Sequence, residues 1–152
     1  MTQLESTQQA SEPFVLPASF AQQRMWFLQR LEGGAVYNVP SATRLRGPLD
    51  FVALERSLTT IIERHESLRT IFQLVDGVPH QVVLPPEPVA LETYDISDHA
   101  DAAERALEMV SEQARTSFDL SCELPIRIAL IKLADEDHVL TLTLHHIVSD
   151  AW

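Results

Sequence analysis

The densest polar cluster in the chain is His145-His146-Ile147-Val148-Ser149-Asp150, which closes an apolar, β-rich run from His138. Adjacent histidines with a carboxylate four residues on point to function, because imidazole titrates near neutrality. Strand geometry sends neighbouring side chains to opposite faces. His146 then shares a face with Leu140, Leu142 and Leu144, and His145 shares the other with Val139, Thr141 and Thr143. Both can aim at one substrate atom only where the strand ends or bends. Otherwise one acts while the other holds backbone or sheet. The plain structural alternative is a pair of satisfied core histidines near a strand end.

Other chemistries find less support. Divergent strand histidines make a poor metal site, and the chain lacks a His-Glu-x-x-His helix or a cysteine pair, so no metal is expected. There is no Gly-x-Ser-x-Gly elbow and no glycine-rich phosphate loop among four glycines. Cys122 has no basic neighbour before Arg127 and reads as structural. Lys132 is the single lysine, hence the one candidate for a Schiff base. A second polar cluster is Arg64-His65-Glu66-Ser67-Leu68-Arg69-Thr70. Alone it reads as a charged helix end followed by a strand. Arg69 within the apolar run Leu68–Phe72 needs a carboxylate partner if buried, and Asp150 is the natural candidate.

The chain has 152 residues, with 22 acidic and 11 basic side chains and a net charge of −11. This length fits one domain. A hydrophobic share of 45% argues for a folded globule. The acidity argues against nucleic acid as the main partner, although a partner with its own basic patch stays open. Cys122 has no second cysteine to pair with, and a reduced, cytoplasmic protein is expected. The first residues are neither basic nor apolar enough for a signal peptide. No apolar run approaches the ~18 residues of a membrane span. The sequence stops at Trp152, directly after the histidine cluster and without a turn or polar tail. Either the chemistry sits at the extreme C-terminus, or this is the front part of something longer.

The elements that must position the cluster follow from pattern. Residues 1–13 read as a flexible lead-in. Ser19-Phe20-Ala21-Gln22 has the form of a capping box and opens a helix to about Leu31, stopped by Gly33-Gly34. Val39 to Gly47 reads as a strand. Asp50 caps a helix whose apolar stripe is Phe51, Leu54, Leu58, Ile61 and Ile62. Leu68–Val75 and His80–Leu84 form a hairpin across Asp76-Gly77-Val78-Pro79. A short strand is expected over Leu91–Tyr94, and a helix capped by Asp98 to about Ser117. Two strands follow, Pro125–Leu133 and His138–His146. The fold class is α/β, a mixed sheet with flanking helices.

Three separated stretches carry a resemblance: Ser19 to Leu28, Arg64 to Phe72, and His145-His146-Ile147-Val148-Ser149-Asp150-Ala151-Trp152. Tyr37-Asn38-Val39-Pro40, Arg44 to Asp50 and Phe118-Asp119-Leu120 fall between them in order. On these residues the chain resembles the N-terminal part of a condensation domain of non-ribosomal peptide synthetases, from about residue 14 to the end. The resemblance implies a chloramphenicol-acetyltransferase-like fold of two lobes with a tunnel between them, of which this chain supplies most of the first, over 14–152. It implies amide formation between a donor acyl thioester and the α-amine of an acceptor, each carried on the 4'-phosphopantetheine arm of a peptidyl carrier protein. The domain itself binds no cofactor, and an adenylation domain lies adjacent. His146 is then the catalytic histidine, as base or as a group that positions the amine, and His145 supports it. Asp150 is structural, paired with Arg69 or Arg64; the strand argument favours Arg69. The family has glycine where this chain has Ala151, which puts the site's backbone or its channel width in question. Met1 lies shortly before the match, so the donor is expected in trans or as a fatty acyl group. Carrier docking would use local basic residues such as Arg24, Arg30, Arg44 and Arg46. Two alternatives stay open: a related acyltransferase or epimerisation domain with the same motif, and an inactive carrier-docking fragment.

Overall fold

A computed structural model describes residues 12–149. Most of the expected lead-in, together with Asp150, Ala151 and Trp152, lies outside the described residues. The centre of the fold is an antiparallel pair, β6 (Ile126–Ala134) and β7 (Asp137–His145). β2 (Asn38–Arg46) pairs antiparallel with the other side of β7, and β5 (Glu92–Asp95) runs parallel along β6. The order is β2-β7-β6-β5. Strand alternation gives this sheet two apolar faces. Ile128, Leu130 and Leu140 pack with Leu54 and Leu58 of α2 (Phe51–Arg64). Ile131, Leu133 and Val139 pack with Ala106, Met109 and Val110 of α3 (Ala102–Arg115). Helices therefore flank a mixed sheet on both sides, as the alternating patterns imply.

A second sheet has the order β1-β4-β3, built from β1 (Phe14–Pro17), β4 (Val78–Val83) and β3 (Thr70–Val75). β1 escapes the sequence reading because four residues with a proline at the end carry little pattern. Its order comes from pairing with His80–Val83. The β3–β4 hairpin turns on Asp76 and Gly77, with φ of 51° and 79°. Such a two-residue turn starts β4 at Val78, earlier than expected. Pro79 is accommodated there because β1 pairs with β4 only from His80 onward.

Helix starts follow local polar chemistry. Ser19 and Gln22 form the expected reciprocal capping box at α1 (Phe20–Glu32), and Gly33 ends it at φ 65°. Asp50 accepts the Ala53 N–H at 2.9 Å at the start of α2. Asp98 does not cap α3. The Asp95 carboxylate instead takes the Ser97 N–H and hydroxyl at 3.0 and 2.6 Å, and His99 N–H bonds to Ile96. These turns keep the chain out of the helix until Ala102. Arg69 also departs from expectation. It closes a 3-10 turn, Glu66–Arg69, and the strand starts one residue later. Hydrogen bonds from Leu68 N–H to His65 and from the Thr70 hydroxyl to Glu66 hold that turn.

Candidate active site

β7 ends between the two histidines. His145 N–H donates to Pro125 at 2.9 Å on the β6 side, and His146 N–H donates to Tyr37 at 2.8 Å on the β2 side. The chain then enters a 3-10 turn, His146–Val148. So the condition set by strand alternation is met: the strand stops where the histidines would diverge. His145 keeps its strand orientation and is fully buried. His146 is carried out of the sheet and is exposed. The turn is anchored by Ile147, buried with Ala18, Phe72, Phe118 and Leu120. Met25 and Trp26 of α1 pack against the same cluster. The opening helix therefore seats the histidine turn.

The two imidazoles hold different tautomers. Ile147 N–H donates to His145 Nδ1 at 3.1 Å, so the proton of the neutral ring sits on Nε2. That Nε2 is buried and has no hydrogen-bond partner among the described residues. Phe118 meets the His145 ring edge-on at 5.9 Å, and Tyr37 lies tilted at 6.1 Å. Desolvation, aided by the neighbouring His146, pushes the His145 pKa down to about 4. His145 is therefore neutral at pH 7. His146 Nδ1 bonds to the Ser149 carbonyl oxygen. A carbonyl only accepts, so Nδ1 carries a proton, and in the neutral ring Nε2 keeps its lone pair. An exposed imidazole with a free lone pair is equipped to take a proton.

The arginines of the second cluster separate. Arg69 donates from Nη1 to the Leu84 carbonyl, and its Nη2 lies 3.4 Å from Glu66 Oε1. Glu66 is mostly exposed, which makes that ion pair weak. Arg69 Nε is buried with no partner among the described residues. Arg64 ends α2, is exposed, and makes no ion pair among the described residues. Asp150, the partner expected for one of them, lies outside those residues. A cavity of about 840 Å³ opens beside Arg69, lined by Leu84, Thr116, Ile126 and Arg127 among others, and neither histidine lines it.

The remaining candidates have structural explanations. Among the described residues, no three His, Cys, Asp or Glu side chains gather as metal ligands. Lys132 Nζ sits 3.3 Å from Asp95 and 3.2 Å from Asp135. Asp135 and Asp95 raise its pKa, so it stays an ammonium and makes a poor Schiff-base nucleophile. Partial desolvation and the Asp119 carboxylate hold the Cys122 thiol above its usual range, so it stays protonated. Of the basic residues named for docking, Arg30 lies over the Trp26 ring at 4.9 Å and Arg44 is bonded to Asp137. No helix among the described residues is long and apolar enough to cross a membrane.

Three residues at the site carry no role in the sequence reading. Tyr37 supplies the carbonyl that holds His146, Phe118 packs on His145, and Asn38 stands opposite His145 in the β2–β7 register. Matching the two strands end to end, with β2 begun at Asn38 instead of Val39 and β7 ended at His145 instead of His146, would have found this last pair.

Comparison with known proteins fits these features. The condensation domain family model matches residues 14–152. The chain is 45% identical over 144 residues to the isonitrile lipopeptide synthase of Mycobacterium tuberculosis, covering 94% of this chain and 6% of that protein. Among solved structures, the X-domain from teicoplanin biosynthesis shares 34% identity over 90% of this chain and 29% of its own, with a TM-score of 0.77. The first condensation domain of the calcium-dependent antibiotic synthetase shares 28% over 88% of this chain and 33% of its own, with a TM-score of 0.76. This chain thus spans about a third of each solved chain and a small part of the synthase. The architecture is that of the chloramphenicol-acetyltransferase-like fold, present in part. With the family model covering nearly its whole length, the chain belongs to the condensation domain family.

Proposed function

We propose that this chain is the first lobe of a domain that forms amide bonds in non-ribosomal peptide synthesis. The donor is an acyl or aminoacyl thioester and the acceptor an aminoacyl thioester, each on the 4'-phosphopantetheine arm of a carrier protein. The observation that carries the reading is the exposed His146 ring, whose Nδ1–H is held by the Ser149 carbonyl. Its Nε2 lone pair takes a proton from the attacking α-amine. The new C–N bond forms at the thioester carbon, the C–S bond breaks, and the proton leaves with the departing thiol. A thioester is already activated, so positioning the amine does much of the work beside the proton transfer.

In this reading His145 is a supporting group, neutral and buried. Asp150 is structural and pairs with Arg69, whose guanidinium is largely buried at the end of β4; the exposed Arg64 is the less suitable partner. The partners are the donor and acceptor carriers, with an adenylation domain alongside. The test is to incubate the complete domain with loaded carriers and look for a dipeptidyl thioester by mass. Product with the native domain and none with His146→Ala, at an unchanged melting temperature, supports the reading. Full product from the variant sinks it.

A further inference from the structure

Two buried polar atoms near the histidine turn have no hydrogen-bond partner among the described residues, His145 Nε2 and Asn38 Oδ1. One is a donor and the other an acceptor. Nε2 carries the His145 proton because Nδ1 accepts from Ile147. The Asn38 amide is oriented by two carbonyls: its Nδ2 donates to Ala114 at 2.9 Å and Thr116 at 2.8 Å, at the end of α3. Only the NH₂ end of an amide can face two carbonyl oxygens, so Oδ1 is the end left over.

Asn38 and His145 are direct partners in the β2–β7 register. Their pairing type follows from the neighbouring bonds. His145 N–H turns to Pro125 on the β6 side, whereas His146 N–H bonds to Tyr37 on the β2 side. Asn38 and His145 therefore form a non-hydrogen-bonded pair, the kind whose side chains come closest. Directly opposed Cβ atoms lie ~5 Å apart, within reach of an amide and an imidazole through side-chain torsions alone. A buried donor and a buried acceptor left unpaired on directly opposed residues are each costly, and one contact relieves both.

We infer that Asn38 is a positioning residue for the histidine turn: its Oδ1 accepts from His145 Nε2–H and keeps His145 in the tautomer that anchors the turn bearing His146. The chain of contacts is short. Asn38 ties the end of α3 to β2 and locks the His145 proton on Nε2. His145 Nδ1 then receives Ile147 N–H, and Ile147 fixes the turn from which His146 emerges. The assignment rests on reading His146 as the reactive histidine.

The experiment uses the complete condensation domain with Asn38→Ala, which removes donor and acceptor, and Asn38→Asp, which keeps an acceptor. Ring ¹⁵N shifts of His145 report its tautomer, and steady-state turnover with loaded carriers reports the site. Asn38→Ala should mix the His145 tautomers and lower kcat about tenfold, the equivalent of one lost buried hydrogen bond, with KM unchanged. Asn38→Asp should keep the Nε2–H tautomer but recover kcat only in part, because it loses the Nδ2 donor to the Ala114 and Thr116 carbonyls. A native His145 spectrum and native kcat in Asn38→Ala, or an Asp variant whose His145 ring shows the same mixed tautomers as Ala, would overturn the inference. Should neither variant fold, the native domain decides: slow solvent exchange of His145 Nε2–H supports the pairing, and fast exchange or an Nδ1–H ring refutes it. An active His146→Ala domain would defeat the reading of His146 while leaving the tautomer result to stand on its own.

Discussion

His146 donates its Nδ1–H to the Ser149 carbonyl, while its neighbour His145 accepts a backbone N–H on the same ring position. Adjacent residues of one type thus hold opposite tautomers, and the local backbone decides which is which. The ring with the free lone pair is the exposed one. The ring with the free N–H is the buried one.

This contrast predicts an asymmetry between the two positions. His146→Gln in the complete domain should slow amide formation by about 10²-fold or more, the usual worth of a general base, with little change in melting temperature. His145→Gln should instead lower the melting temperature first. Calorimetry beside single-turnover kinetics separates the two, and the reverse pattern would reassign the roles.

The depressed His145 pKa gives a pH dependence of stability with a definite sign. The unfolded ring takes up its proton near pH 6.5, whereas the folded ring resists protonation until about pH 4. Its contribution is complete above pH 6.5 and is lost as the pH falls toward 4. The full loss is on the order of 3 kcal/mol. Denaturant titrations of the native domain and His145→Asn from pH 7 to pH 4 should show the native protein losing more stability. Parallel curves would mean that His145 is not desolvated in solution.

The proposed pairing of Asp150 with Arg69 calls for a double-mutant cycle. Asp150→Asn and Arg69→Met should couple by about 1 kcal/mol or more in unfolding free energy, because groups in one ion pair are non-additive. The same cycle with Arg64→Met should be additive. Coupling to Arg64 instead would move the partner from the end of β4 to the exposed end of α2.

Arg127 holds the exit from α3. Its guanidinium donates to the Thr116 and Ser117 carbonyls, each at 2.7 Å, and to Glu123 at 2.6 Å, and it stacks 3.9 Å over Phe118. Arg127→Met should destabilise the domain by about 2 kcal/mol, since two carbonyls and the Phe118 face lose a charged partner together. Arg127→Lys should restore only part of this, because one ammonium cannot span the same fork. A neutral effect on thermal unfolding would refute this account.

Much of the architecture was legible because it rests on short-range chemistry. The capping box at Ser19, the Asp50 cap and the Leu54, Leu58 and Ile62 part of the apolar stripe of α2 are local signals, and they were kept, whereas Phe51 and Ile61 of that stripe are exposed. So were β6 and β7, whose alternation survives burial on both faces. What was not legible depends on distant partners. β1 gains its order only from β4, and Arg69 falls into a turn held by Thr70 and His65. Asp98 loses α3 because Asp95 captures Ser97 first. At the site, the histidines announced themselves by type and spacing. Asn38 and Phe118 did not, since their roles arise from strand register and from the path after α3.

The setting of Lys132 bears on self-damage. A catalyst that handles activated acyl groups exposes its own amines to them, and only an unprotonated amine attacks a thioester. This chain has a single lysine, and its ammonium is clasped between Asp95 and Asp135 on the β5–β6 edge of the sheet. Its ten remaining basic side chains are arginines, which do not deprotonate at working pH. For the reaction proposed above, this leaves almost no lysine nucleophile to compete with an acceptor amine, and amine-directed acyl reagents at neutral pH should modify Lys132 slowly.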